Sequence, residues 1–244
     1  MATFLLLHPA WFGGWSWAKV TPLLRARGQE VFTPTLTGLG ERRHLARPDV
    51  GLDVHVQDIV NVLEYEDLHD VFLVGNSSGG AVITGVADRV PERIANVVYL
   101  DAFVPEDGES LMGTMPPERR TMIERLVEAE GEGWLIPRFT TPPWEKIVPE
   151  VWEITDKRDI AWVVPRLAPT PVRQFTDFVR RRNPDAEKLP RTYIRCGRWA
   201  NPVFDRYAAA AKRSEHWRSI AFEAPHIPFI THPHETAELL LSIP

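Results

Sequence analysis

An α/β fold, a mostly parallel sheet flanked by helices with an inserted helical cap, is what this sequence predicts, and three features carry the prediction. Short apolar runs alternate with helical patterns along the chain. A serine set between glycines joins one of those runs to a helix. A long interval in the middle of the chain has no apolar run of comparable quality. The length of 244 residues suits one such domain carrying an insertion.

Taken in order, the strand candidates are residues 4–7, 31–36, 71–74, 97–100, 193–196 and 220–222. They are apolar almost throughout instead of alternating, as strands covered on both faces are. The helix candidates between them begin with 17–27, which stops at Gly28, and 54–65, with Asp53 as N-cap. Residues 79–90 open in small side chains directly after a strand, 203–212 are alanine-rich, and 234–241 close the chain. Residues 105–190 are rich in Pro, Trp and charge, and a structureless loop of that length is improbable in a compact domain. Helical patterns at 119–130 and 171–181 make this interval a cap inserted into a core of residues 1–104 and 191–244.

Bulk properties bound the function. Apolar residues make up 44% of the chain and charged residues 25%, enough for a sizeable core under a polar surface. The net charge is −5 with both signs mixed, and no basic stripe appears, which argues against nucleic acid or an anionic membrane as partner. Residues 1–8 lack a positive start and are too short for a signal peptide or a membrane span, so a cytoplasmic protein is expected. Cys196 is the only cysteine, so no intrachain disulfide can form. The expected partner is a small-molecule substrate; the oligomeric state, a homodimer included, stays open.

The chemistry centres on Gly75-Asn76-Ser77-Ser78-Gly79. A strand, then Gly-x-Ser-x-Gly, then a helix is the context that makes this short pattern specific. A nucleophilic serine has to stand on a sharp, strained turn, where side chains at the flanking positions would collide with backbone. The helix that follows aims its N-terminal N–H groups at the site and stabilises developing negative charge. The blander reading is an ordinary Gly/Ser-rich loop.

Among eight histidines, His226 is singled out by its place after the last strand candidate and before the final helix. A base there can take the serine proton and pass it to the leaving group. His232, His234 and Glu235 lie close by, but their spacing matches no zinc signature, so they read as surface positions and no metal is expected. The turn after the first strand, Leu7-His8-Pro9-Ala10-Trp11-Phe12-Gly13-Gly14-Trp15, is placed to supply an oxyanion donor. Ala10 N–H is the candidate there, with Ser78 N–H as the other; Pro9 has no N–H to give. Trp11 and Phe12 are placed at the pocket mouth, while Trp15 and Trp17 read more simply as core.

These residues resemble a known family. Residues 35–42 (Thr-Leu-Thr-Gly-Leu-Gly-Glu-Arg), Asp58, residues 74–80 (Val-Gly-Asn-Ser-Ser-Gly-Gly), residues 99–105 (Tyr-Leu-Asp-Ala-Phe-Val-Pro) and Pro225-His226-Ile227-Pro228-Phe229 look like a bacterial esterase family of the α/β-hydrolase superfamily, related to plant methyl esterases and hydroxynitrile lyases. The likeness spans nearly the whole chain. It implies an α/β-hydrolase fold, a serine hydrolase without a cofactor, and small esters or related carbonyl compounds as substrates. The lyase relatives show that the same Ser/His site can serve a cofactor-independent lyase or decarboxylase, and fold alone does not choose.

Three departures from the family pattern stand out. Pro9 replaces the usual glycine after His8, and Asn76 replaces the usual histidine before the nucleophile. The loop after 193–196, where the family carries its acid, reads Gly197-Arg198-Trp199-Ala200-Asn201 and has no carboxylate before Asp205. Asp101, at the end of the strand after the nucleophile helix, is the best replacement, with Asp205 behind it and the absence of any acid as the third reading. The leading expectation is hydrolysis of a carboxylic ester, thioester or lactone through an acyl-enzyme: Ser77 attacks, His226 relays the proton, Asp101 orients it, and Ala10 and Ser78 hold the oxyanion. Trp11, Asn76 and Trp134 are expected to line the pocket. With Trp144, Trp152 and Trp162 they suggest an apolar or aromatic substrate.

Overall fold

The computed structural model describes residues 1–138 and 146–244. Six strands form one sheet: β1 (Thr3–Leu7), β2 (Glu30–Phe32), β3 (Val71–Ser77), β4 (Ile94–Ala102), and, after an intervening pair, β7 (Arg191–Cys196) and β8 (Trp217–Phe222). Their order is β2-β1-β3-β4-β7-β8 and every pairing in this sheet is parallel. The intervening pair, β5 (Leu135–Ile136) and β6 (Thr170–Pro171), is antiparallel and only two residues long on each side. All six strand candidates are found.

Continuous apolar runs suit the central strands β1, β3 and β4 because both their faces are covered. The period of two sends Leu5, Leu7, Leu73, Val97 and Tyr99 to one core, while Phe4, Leu6, Val74, Val98 and Leu100 enter the other. Helix α1 (Thr21–Ala26) covers the second of these, α2 (Leu52–Tyr65) and α3 (Gly79–Arg89) the first. Between β4 and β7 lie α4 (Leu111–Thr114), α5 (Pro117–Glu130), α6 (Lys157–Val163) and α7 (Arg173–Thr176). The chain ends with α8 (Pro202–Arg213), α9 (Pro228–Thr231) and α10 (Pro233–Leu241). Among the described residues, no helix is long and apolar enough to cross a membrane.

Several boundaries differ from the sequence expectation for identifiable reasons. The second strand stops at Phe32, two residues before Pro34, which has no N–H for a ladder. The expected helix 17–27 divides into a 3-10 turn, Gly14–Trp17, and α1, which restarts with Pro22 in its first turn. Gly51, not Asp53, caps α2. The expected helix 171–181 shrinks to α7, because Asp177 leaves the helix: its carboxylate accepts from the Leu52 N–H of α2 at 3.1 Å and from Arg173 Nε at 3.0 Å.

Candidate active site

Ser77 ends β3 and opens the turn into α3 with φ 53°, a left-handed conformation that few non-glycine residues adopt. The turn closes tightly enough to dictate its glycines. A Cβ on Gly75 would sit 2.8 Å from the Gly79 carbonyl oxygen, and one on Gly80 would sit 2.0 Å from the Phe103 carbonyl oxygen. Serine strain and glycine packing are thus two sides of one sharp reversal.

Beside it, the β3–β4 ladder slips. Asn76 pairs with Leu100 and Ser77 with Ala102, so Asp101 is left out of register as a bulge residue with φ 44°. The side chain is fully buried and its carboxylate is met by three groups. His226 Nδ1 lies 2.6 Å from Oδ2, while Oδ1 accepts from Arg195 Nη1 at 2.9 Å and from the Cys196 N–H at 3.1 Å. With Nδ1 donating to the carboxylate, Nε2 of a neutral His226 is left as the acceptor. His226 itself is 3% exposed and stands on the loop between β8 and α9. Asp205 does not reach it: that carboxylate is exposed and pairs with Arg195 instead.

Arg195 of β7 pairs with both Asp101 and Asp205. Burial alone would lower its pKa, but Asp101 and Asp205 outweigh that and raise it. Its Nη2 also donates to the Trp199 carbonyl at 2.6 Å, tying down the loop after β7. From that loop Trp199 packs on His226 with ring centroids 4.4 Å apart, and Phe204 of α8 stacks on the same imidazole at 5.5 Å. Burial also pushes the Cys196 thiol well up, so it stays protonated.

Ser77 and His226 line one cavity of about 180 Å3. Its lining includes Trp11, Phe103, Trp199 and Phe204, together with Met122, Ile123, Leu126 and Trp152 from the segment between β4 and β7. Trp11 adopts φ 67°, which turns it out of the loop after β1; its Nε1 donates to the Pro137 carbonyl at 3.0 Å and its ring lies 6.1 Å from Phe175.

Four expected placements need comment. Asn76 is not in the cavity: it is fully buried, and its amide donates to the Leu100 carbonyl at 2.8 Å and to the His226 carbonyl at 3.1 Å. Strand alternation explains this, since a residue next to an outward-facing Ser77 points to the opposite face. Trp134 is likewise outside the lining, half-buried in the turn into β5, where its carbonyl accepts from Val172 N–H at 2.9 Å. Trp144 lies outside the described residues. Phe12 is fully buried core, as are Trp17 and the bulk of the tryptophan-rich turn, where Trp15 meets Trp162 edge-on at 5.2 Å.

The Ala10 N–H is engaged in this conformation. It donates to Ser78 Oγ at 2.8 Å, and Gln174 Nε2 approaches the same oxygen at 3.5 Å. Gln174 is fully buried with Oε1 unpartnered among the described residues. His8, below this loop, is structural: Nδ1 donates to the Pro9 carbonyl, Nε2 accepts from Leu36 N–H, and burial lowers its pKa to about 4. Among the described residues no group of His, Cys, Asp and Glu is arranged to hold a metal.

Sequence reasoning missed Arg195, Trp199, Phe204 and Arg119 as site residues. Arg195 carried a legible signal, a charge inside an otherwise apolar strand, which needs a buried partner. Trp199 lies in the loop where the resemblance put the acid, but its residue type gave no signal; Phe204 and Arg119 gave none because they reach the site from helices.

Comparisons with known proteins agree with this architecture. Residues 4–239 match the model of the alpha/beta hydrolase family. A carbendazim hydrolyzing esterase of Nocardioides sp. (strain SG-4G) is 36% identical over the full length of both chains. Methylesterase 9 of Arabidopsis thaliana is 26% identical across 100% of this chain and 98% of its own. Among solved structures, an extracellular alpha/beta-hydrolase from a Paenibacillus species superposes with a TM-score of 0.85 at 24% identity, covering 99% of this chain and 98% of that one. A serine elbow on a parallel sheet, a histidine after the last strand and full-length matches of this kind lead to one statement: the chain belongs to the alpha/beta hydrolase family, among its esterases.

Proposed function

We propose that the protein hydrolyses a small carboxylic ester with an apolar or aromatic body through an acyl-enzyme on Ser77. The observation that carries this reading is the 2.6 Å contact between His226 Nδ1 and the buried Asp101 carboxylate, beside a cavity that Ser77 and His226 share. Ser77 Oγ adds to the ester carbonyl carbon while His226 Nε2 takes the hydroxyl proton. The tetrahedral intermediate then collapses, and the departing alkoxide receives that proton. Water repeats the sequence in reverse roles, with His226 as base, and releases the acid. Asp101 holds the imidazole tautomer and balances the imidazolium. Ser78 N–H and Ala10 N–H receive the oxyanion, for which the Ser78 hydroxyl gives up the Ala10 N–H; the unpartnered Gln174 Oε1 is an acceptor in the same cluster. Residues 105–190 act as a cap whose apolar wall excludes water from the acyl-enzyme. A cofactor-independent lyase using the same Ser/His site is the alternative; the altered acid position that motivates it remains, whereas Asn76 lies outside the cavity.

Exposure to a fluorophosphonate with intact-mass readout tests the reading. Wild type gains one phosphonyl group, Ser77→Ala gains none, and Asp101→Asn labels on the order of 100-fold or more slowly. Absence of labelling in wild type would overturn it and return attention to lyase substrates.

A further inference from the structure

Apart from Ser77 and His226, the described lining of the cavity is almost wholly apolar, and among the described residues its one charged side chain is Arg119 of α5. Among the described residues no carboxylate lines the cavity beside it. The guanidinium lies 5.9 Å from the centroid of the Trp199 ring, the ring that packs on His226. Two residues beyond Trp199, Asn201 also lines the cavity. Its Oδ1 accepts from Val203 N–H at 3.0 Å and caps α8, which fixes the amide and leaves Nδ2 as the half able to donate elsewhere. The described polar groups that are not part of the proposed Ser–His–Asp relay are therefore both donors, one of them a permanent cation, and among the described residues no Asp or Glu lines the cavity.

Resting on the hydrolase reading above, we infer that Arg119, with Asn201, is a subsite for an anionic group, and that the substrate is an ester carrying a carboxylate-type anion apart from its reacting carbonyl. A carboxylate suits the fork of a guanidinium. The flat apolar walls around it suit an aromatic or extended carbon body between the anion and the ester. Stacking over Trp199 holds the guanidinium in place at a modest entropic cost, so it meets a ligand partly preorganised.

The test compares ester pairs that share shape and differ in charge. On the acyl side these are monomethyl terephthalate and methyl 4-carbamoylbenzoate; on the alcohol side, 4-acetoxybenzoate and 4-acetoxybenzamide. For at least one pair kcat/KM favours the anion by about tenfold or more, carried mostly by KM, the size expected of a charged hydrogen-bonded contact. That ratio falls towards one in Arg119→Gln and is partly kept in Arg119→Lys, a recovery that a packing role alone would not produce. Binding is read separately from turnover, by quenching of tryptophan fluorescence with benzoate against benzamide. Benzoate binds more tightly to wild type, and the difference disappears in Arg119→Gln. An anion preference absent from both pairs and from binding, or one that survives Arg119→Gln, overturns the subsite. If Ser77 labels with fluorophosphonate while no anion preference exists, the hydrolase reading stands and the subsite falls. If benzoate binds through Arg119 while Ser77 does not label, the subsite stands and the hydrolase reading falls.

Discussion

Outside the proposed Ser–His–Asp relay, Arg195 ties several parts of the site together. Its guanidinium is mostly buried, and it touches Asp101, Asp205, and the Trp199 and Cys196 carbonyls. Removing such a cation leaves the Asp101 carboxylate buried without its counter-charge, a situation that costs about 3–5 kcal/mol. Arg195→Gln is therefore expected to lower the urea midpoint strongly and to slow phosphonylation of Ser77. Asp205→Asn, which removes only the exposed partner, costs under about 1 kcal/mol. A small effect of Arg195→Gln in urea melts would show that Asp101 is held by other groups. Asn76 is the second case at this scale. Its amide bridges the Leu100 and His226 carbonyls, so Asn76→Leu leaves both acceptors unsatisfied in the interior and costs roughly 2–4 kcal/mol. Thermal melts measure that cost, and the same substitution shows whether the backbone of His226 drifts when its brace is gone.

At the scale of elements, the turn between β3 and α3 and the bulge in β4 form one unit. The sharp reversal at Ser77 brings α3 against β4, and the slip in register that places Asp101 is its counterpart on the neighbouring strand. Gly80 marks the closest approach, where an added methyl would overlap the Phe103 carbonyl. Gly80→Ala is expected to cost at least about 2 kcal/mol, because backbone must move to make room. Urea denaturation of that variant, compared with substitution at Gly108, where nothing lies within 4 Å of an added Cβ, separates close packing from backbone strain. Gly108 has φ 76°, so its alanine variant isolates the strain of a left-handed backbone alone.

For the molecule as a whole, two buried histidines set its response to acid. His8 and His55 are fully buried, and burial lowers the pKa of both, His8 to about 4 against an unfolded value of 6.5. The unfolded chain therefore binds more protons than the native one between these values, and stability rises with pH across that window. Read in the other direction, the fold loses stability as pH falls from about 6.5 towards 4, by about 3 kcal/mol through His8 alone. Denaturant midpoints from pH 7 to pH 4 measure the loss. His8→Asn is expected to flatten the profile while lowering stability at neutral pH, since it removes the tie between the Pro9 carbonyl and Leu36 N–H. An unchanged slope in that variant would move the origin of acid sensitivity elsewhere.

Local pattern was enough for much of this protein. Apolar runs of three to six residues mark a strand whichever strand lies beside them, so the six sheet strands were legible without knowledge of their order. The Gly75–Gly79 turn was legible because its strain and its close approaches are local, set by neighbours along the chain. His226 could be named from its place after the last strand. What tertiary structure decided was every contact made across strands and loops. The partner of His226 is Asp101, 125 residues away, and it is reached only because one residue of β4 slips out of register. Arg195, Trp199 and Arg119 gather around that pair from three separate elements, and Asn76 and Trp134 turn away from a cavity they were expected to line. Sequence patterns record how each segment meets its own surroundings. Register and the facing of loops depend on the packed whole, and no single segment encodes them.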